Sequence, residues 1–229
     1  MKRHGFFALG FRAILPVMTG VIPFGAVTGT VCAEAGLSFF QAITMNVILY
    51  AGASQLAAVE LMTKHAASIV VILTGLVINL RFLLYSAAMS PVLQHSPFFT
   101  KFICAHTLTD QSYAVMPAHQ DQFKSSKDSV LFYLGTSVCM LFVWHSSFIA
   151  GYIFGNFAPA SWALDYAVPL SFAALVIPTL KAKKYVIVAA FSSVVSILLY
   201  PLPYKLGLVT TALLSIGLGA YITRKKAAA

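Results

Sequence analysis

Three short polar strings interrupt stretches of this chain that are otherwise apolar enough to cross a lipid bilayer: YAGASQ at 50–55, INLR at 78–81 and HTLTDQS at 106–112. Placing Arg81 and Asp110 in hydrocarbon costs on the order of several kcal/mol, so such residues face a protein interior, line a pathway or pair with each other. The surrounding composition demands a membrane. The chain has 229 residues, 59% hydrophobic and only 9% charged, with a mean hydropathy of +0.86. A soluble domain would carry roughly a quarter charged residues. The charges are also clustered, leaving 129–164 with almost none. The expectation is an all-α polytopic membrane protein, a single transmembrane domain over 1–229, in a bacterial inner membrane.

The net charge of +9 does not indicate nucleic acid. The basic residues sit at the ends of apolar spans, where positive-inside sorting puts them. No basic stripe interleaved with exposed aromatics is present, and nucleic-acid binding needs one. Cys32, Cys104 and Cys139 lie far apart within apolar segments, without metal-ligand or disulfide-framework spacing, and read as small packing residues. No H-x-x-x-H, C-x-x-C or carboxylate cluster suggests a metal, and no glycine-rich phosphate loop suggests an ATPase or a cofactor. The basic start MKRH is followed by an apolar run that continues into a full span without a small-residue cleavage pattern, so it reads as a first helix rather than a signal peptide.

Seven segments are long enough to cross at about 20 residues per helix: 13–33, 39–62, 66–93, 129–155, 163–180, 184–200 and 205–222. An eighth, 98–118, holds Lys101, His106, Asp110 and Gln111. With eight spans and a cytoplasmic N-terminus, the inner faces carry Lys2, Arg3, Arg12, Lys64, Lys124, Lys127, Lys181, Lys183, Lys184, Arg224, Lys225 and Lys226, against Lys101 and Lys205 outside. Seven spans would turn the KAKK loop and the RKK tail outward, against the positive-inside bias. Eight helices with both termini cytoplasmic therefore fit better, and 98–118 becomes a polar-faced span. Paired prolines, Pro16 and Pro23 in the first span and Pro169 and Pro178 in the sixth, raise the possibility of an inverted repeat around a central site. Prolines are also simply common in membrane helices.

The polar strings offer specific chemistry. Ala51, Gly52, Ala53 and Ser54 are small, so the stretch either packs closely on a neighbouring helix or unwinds near the bilayer centre and exposes backbone N–H groups. Ser54 and Gln55 add hydrogen-bonding side chains. Arg81, preceded by Asn79, lies too deep to snorkel, and its planar fork suits a carboxylate of a ligand or of Asp110. Asp110 is the one acidic residue well inside a span. Burial favours its acid form and a guanidinium favours its carboxylate, a competition that could couple proton uptake to solute movement. His106, four residues earlier on the same helical face, could relay the proton. The simpler reading is a permanent ion pair. His145, beside Trp144, reads as a hydrogen-bonded core residue.

In order, PFG (23–25), YAGASQ (50–55), INLRFLLYSAAMSP (78–91) and LTDQS (108–112) resemble the AzlC family, the YgaZ-like large subunits of branched-chain amino acid exporters. The likeness is densest over 16–116. Phe82 and Gln111 depart from the histidine and the acidic residue usual in the family at those places. The resemblance implies export of branched-chain amino acids driven by the proton gradient, with a small AzlD-type membrane subunit as partner. On that reading Gly52, Ser54, Gln55, Asn79 and Arg81 bind substrate, while Asp110 and His106 couple its movement to the proton. Two rivals differ in class: a passive channel or scaffold subunit, and an intramembrane serine hydrolase using Ser54 with His106 or His145. The hydrolase lacks the second glycine of a nucleophile elbow and any third orienting group.

Overall fold

A computed structural model of the chain describes residues 4–155, 177, 180, 182–202 and 206–227. Among these, ten α-helices and one 3-10 helix make up all the regular structure. Two long helices form the spine: α1 (His4–Glu34) and α8 (Ser126–Phe154). They run parallel. A Cβ on Gly10 would strike the Phe132 carbonyl and one on Gly135 the Phe7 carbonyl, while Gly29 faces Phe148 and Tyr152 and Gly155 faces Thr30. Backbones approach this closely only where side chains are absent, as is usual between membrane helices. The end carrying His4 is called the near end here, and the end carrying Glu34 the far end.

Between these two helices the chain makes one long crossing and two hairpins. Helix α2 (Phe39–Leu49) starts at the far end, capped by Ser38 and Gln41 in a capping box. Tyr50 then adopts φ 41° and ψ 43°, and α3 (Gly52–Thr63) returns. The reversal is direct: Gln55 Nε2 donates to Asn46 Oδ1 at 3.0 Å, whereas nine residues of straight helix would separate them by about 13 Å. Ala42 of α2 and Val59 of α3 both pack with Cys32 and Phe148 near the far end. The left-handed backbone at a tyrosine costs about 1 kcal/mol or more and persists only where its surroundings hold it.

Helices α4 (Ser68–Asn79) and α5 (Arg81–Leu93) follow as one 26-residue apolar span. It descends from the turn after α3 to the near end, where Ala88 and Val92 face Lys124 and Ser126 across a cavity. Helix α6 (Phe98–His106) then climbs from the near end, with Lys101 Nζ donating to the Gln94 carbonyl. Its Cys104 carbonyl accepts from Tyr133 Oη at 2.9 Å. After Thr107–Thr109, α7 (Asp110–Val115) and the 3-10 helix (Pro117–Gln122) lead back to the near end, where His119 and Phe123 pack on Phe132 and Phe123 on Phe6. Helices α9 (Lys183–Leu198) and α10 (Leu206–Ala227) form an antiparallel pair, Ser192 Oγ donating to Ser215 Oγ at 2.7 Å.

The expected spans 13–33, 66–93 and 129–155 match the three helices long and apolar enough to cross among the described residues, Gly5–Glu34, Ser68–Leu93 and Ser126–Phe154. The expected crossings at 39–62 and 98–118 are corrected: each enters and leaves at one end of the spine, because the backbone turns at Tyr50–Ala51 and at Thr107–Thr109. The sixth span, 163–180, with Pro169 and Pro178 of the proposed proline repeat, lies almost wholly outside the described residues. A different inverted arrangement is visible. A hairpin from the far end followed by a crossing, 39–93, is mirrored by a hairpin from the near end followed by a crossing, 98–154. The three cysteines are buried and unpaired, as packing residues.

Candidate functional site

The two hairpin tips meet midway along the spine, and Arg81 and Asp110 lie between them. Asp110 opens α7, where a negative charge is favoured by the helix dipole. Thr109 caps the same helix: its Oγ1 accepts from Ser112 N at 3.2 Å, and Ser112 Oγ accepts from Thr109 N at 3.0 Å. Arg81 Nη1 donates to Asp110 Oδ2 at 2.5 Å. The pair is largely removed from solvent, with side-chain exposures of 25% for Arg81 and 9% for Asp110. The Tyr85 phenol, one turn along α5 from Arg81, lies against the same carboxylate. Arg81 Nε is buried and, among the described residues, has no hydrogen-bond partner.

A cavity of about 20 Å³ adjoins the pair, bounded by Phe24, Gly52, Arg81, Thr109, Asp110 and Trp144, with Tyr50, Ala51, Phe82, Gln111 and Met140 completing the wall. That is room for about one water. Gly52 is essential to this geometry, since a Cβ there would press into the Trp144 and Phe24 rings, which themselves meet edge-on at 5.3 Å. Helix α3 begins here with no side-chain cap at Ala51, so its first N–H groups face the cavity end.

Of the seven residues singled out from sequence, the structure gathers Gly52, Arg81 and Asp110 around the cavity. Both readings of the 50–55 string hold in part: the backbone breaks there, and the small residues also pack. Ser54 and Gln55 do not line the cavity. Ser54 Oγ donates to the Ala51 carbonyl, and Gln55 ties α3 to Asn46, whose Oδ1 also accepts from Trp144 Nε1 at 2.8 Å. They hold the tip in shape. Asn79 stands outside the cavity wall, its Oδ1 buried and without a partner among the described residues. His106 is exposed and stacks on the Tyr50 ring at 6.1 Å, with His145 on Tyr50's other contact at 5.5 Å. His145 Nδ1 is bonded to the Leu141 carbonyl, as expected of a core histidine. Neither histidine is bonded to Ser54, so the described geometry assembles no Ser–His couple. Sequence reasoning missed Tyr50, Tyr85, Phe24 and Trp144. Tyr50 is itself the first residue of the YAGASQ string and Tyr85 lies one helical turn beyond INLR, and that placement was the available signal.

The AzlC protein family matches residues 16–158, well over half of the chain. The chain belongs to the AzlC family. The AzlC match contains both hairpins, Arg81, Asp110 and all of α8, and ends before α9. Among relatives, an uncharacterized membrane protein of Helicobacter pylori (strain ATCC 700392 / 26695) is 24% identical over 155 residues, 68% of this chain and 65% of its own length. An uncharacterized membrane protein of Archaeoglobus fulgidus is 24% identical over 191 residues, 80% of each chain. This AzlC-family chain thus spans just under two thirds of the length of the Helicobacter protein. No solved structure matches it.

Proposed function

We propose that this AzlC-family membrane protein exports branched-chain amino acids by proton-coupled secondary transport, with the near end of the bundle in the cytoplasm. The observation that carries the reading is the meeting of two broken hairpins at a buried Arg81–Asp110 pair. Non-helical backbone at membrane depth is tolerated only where protein or a solute pathway surrounds it, and paired broken helices at the midplane are how many carriers build a substrate site. Arg81, with Nε unpartnered, offers a fork to the substrate carboxylate. Asp110 offers an anion to the ammonium or a base to the proton, and Phe24, Phe82, Met140 and Trp144 offer apolar wall to an aliphatic side chain. Substrate and proton compete for one ion pair, which is sufficient for coupling.

The cavity of about 20 Å³ is too small for an amino acid, so the tips part during the cycle. Placing the near end inside keeps Lys101, Lys124 and Lys127 cytoplasmic and sends Lys64 to the other face. We assign Ser54 and Gln55 to support of the tip rather than to substrate contact, and His106 to the Tyr50 stack rather than to the ion pair. A small AzlD-type subunit is the partner that AzlC membership suggests, against the exposed α6 face of Phe98, Phe99 and Phe102. In a passive channel or scaffold, the ion pair would be purely structural.

The test is efflux of preloaded radiolabelled leucine from cells expressing the chain, alone and with a candidate small subunit. Export above empty-vector cells, abolished by an uncoupler and by Asp110→Asn, is expected. Efflux that persists in Asp110→Asn would reduce Asp110 to a structural role, and flux indifferent to the gradient would identify a channel.

A further inference from the structure

The bundle contains a second, larger cavity of about 570 Å³ on the near-end side, between α5, α7, the 3-10 helix and the start of α8. Its mouth is polar, with Gln120, Lys124, Ser125 and Ser126, and its wall toward the interior is apolar, with Met89 and Met116. A cavity of 300–1,000 Å³ accommodates a small organic ligand, so this one has room for an amino acid and the cavity at the ion pair does not. Tyr113 lines its inner end. Tyr113 stacks on Tyr85 at a centroid distance of 4.9 Å and 22° between planes. Each tyrosine sits about one helical turn on the near-end side of a member of the ion pair: Tyr85 from Arg81 on α5, Tyr113 from Asp110 on α7. Both rings are half-buried, as befits side chains bordering a cavity.

We propose that the 570 Å³ cavity is the loading vestibule of the transport site, and that the stacked Tyr85–Tyr113 pair is the gate between them. The inference rests on the reading of Arg81–Asp110 as the transport site. Because the Tyr85 phenol lies against the Asp110 carboxylate, the gate contacts the charge state of the site it closes. When Asp110 changes partner, to a proton or to a substrate ammonium, the charge beside Tyr85 changes with it, and the ring is free to leave Tyr113. The far side of the site is sealed differently, by Phe24 and Trp144 closing over Gly52. The molecule described is therefore open to the near end as far as the tyrosines and closed beyond them.

The experiment uses the full chain with Cys32, Cys104 and Cys139 replaced, in inverted membrane vesicles that present the near end to a membrane-impermeant thiol reagent. Gln120→Cys, in the vestibule, is expected to label freely. Ala51→Cys, beyond the gate, is expected to be protected in the parent, to lose that protection in Tyr113→Ala and to keep it in Tyr113→Phe, which retains the ring. Monodisperse elution of each variant from a size-exclusion column in detergent reports that it has folded. Protection of Ala51→Cys that survives Tyr113→Ala, or that is already absent in the parent, overturns the gate. Leucine separates the two claims. If the labelling pattern holds but leucine never shields Ala51→Cys, the gate stands and the substrate assignment falls.

Discussion

The two hairpins have the same construction and opposite chemistry. Each is a helix that enters the bundle, breaks after nine to eleven residues and returns as a second helix whose first residue faces the shared cavity. In the far-end hairpin that residue is Gly52, uncapped and hemmed by two aromatic rings. In the near-end hairpin it is Asp110, capped by Thr109 and bonded to Arg81. One tip therefore supplies space and close packing, and the other supplies charge. Equal backbone roles do not imply equal side-chain roles, and under the proposed transport function one side would close tightly while the other titrates.

Breaking the charged side should have the largest effect. Arg81→Leu alone leaves Asp110 buried without its cation and is expected to cost about 3–5 kcal/mol in detergent unfolding. Arg81→Leu with Asp110→Leu should cost clearly less than the sum of the single changes, because no charge is then left unpaired. Additive losses would mean that the pair is not coupled. On the packing side, Gly52→Val forces a branched side chain against Trp144 and Phe24 and should cost about 1–3 kcal/mol, with loss of leucine export as the functional readout. A smaller effect is expected from Gln55→Leu, which removes one of the two donors to Asn46 Oδ1 and should cost about 1 kcal/mol. Smallest is Thr109→Ala, which removes the α7 cap for about 1 kcal/mol or less. Its sharper signature is faster amide exchange confined to Asp110–Ser112, and exchange unchanged there would show that the cap is not holding the charged tip.

Much of the site was legible in the sequence because charge in hydrocarbon has few options: Arg81 and Asp110 had to be interior, and pairing was the simplest outcome. The break at 50–52 was half legible. Small residues permit both unwinding and close packing, and only the fold around them uses both. The hairpins themselves were not legible from span counting. A straight-through reading and the observed one both deliver the chain to the near end for α8, so the direction of every later segment is unchanged. Only Lys64 and Lys101 trade places, and a positive-inside tally of one lysine for another is identical. The places of Ser54, Gln55 and His106, outside the cavity wall, were not legible for a related cause. Helical periodicity places residues on a face, but it says nothing once the helix reverses, and Gln55 meets Asn46 across that reversal.

Lys64 and Lys101 therefore provide the most direct test. In a background with the native cysteines replaced, Lys64→Cys and Lys101→Cys would each be probed with a membrane-impermeant thiol reagent in intact cells and in inverted vesicles. Two hairpins meeting at the Arg81–Asp110 pair predict that Lys101→Cys labels from the face bearing the N-terminus and Lys64→Cys from the opposite face. The reverse pattern would mean that 39–62 and 98–118 cross the membrane, and would contradict the account.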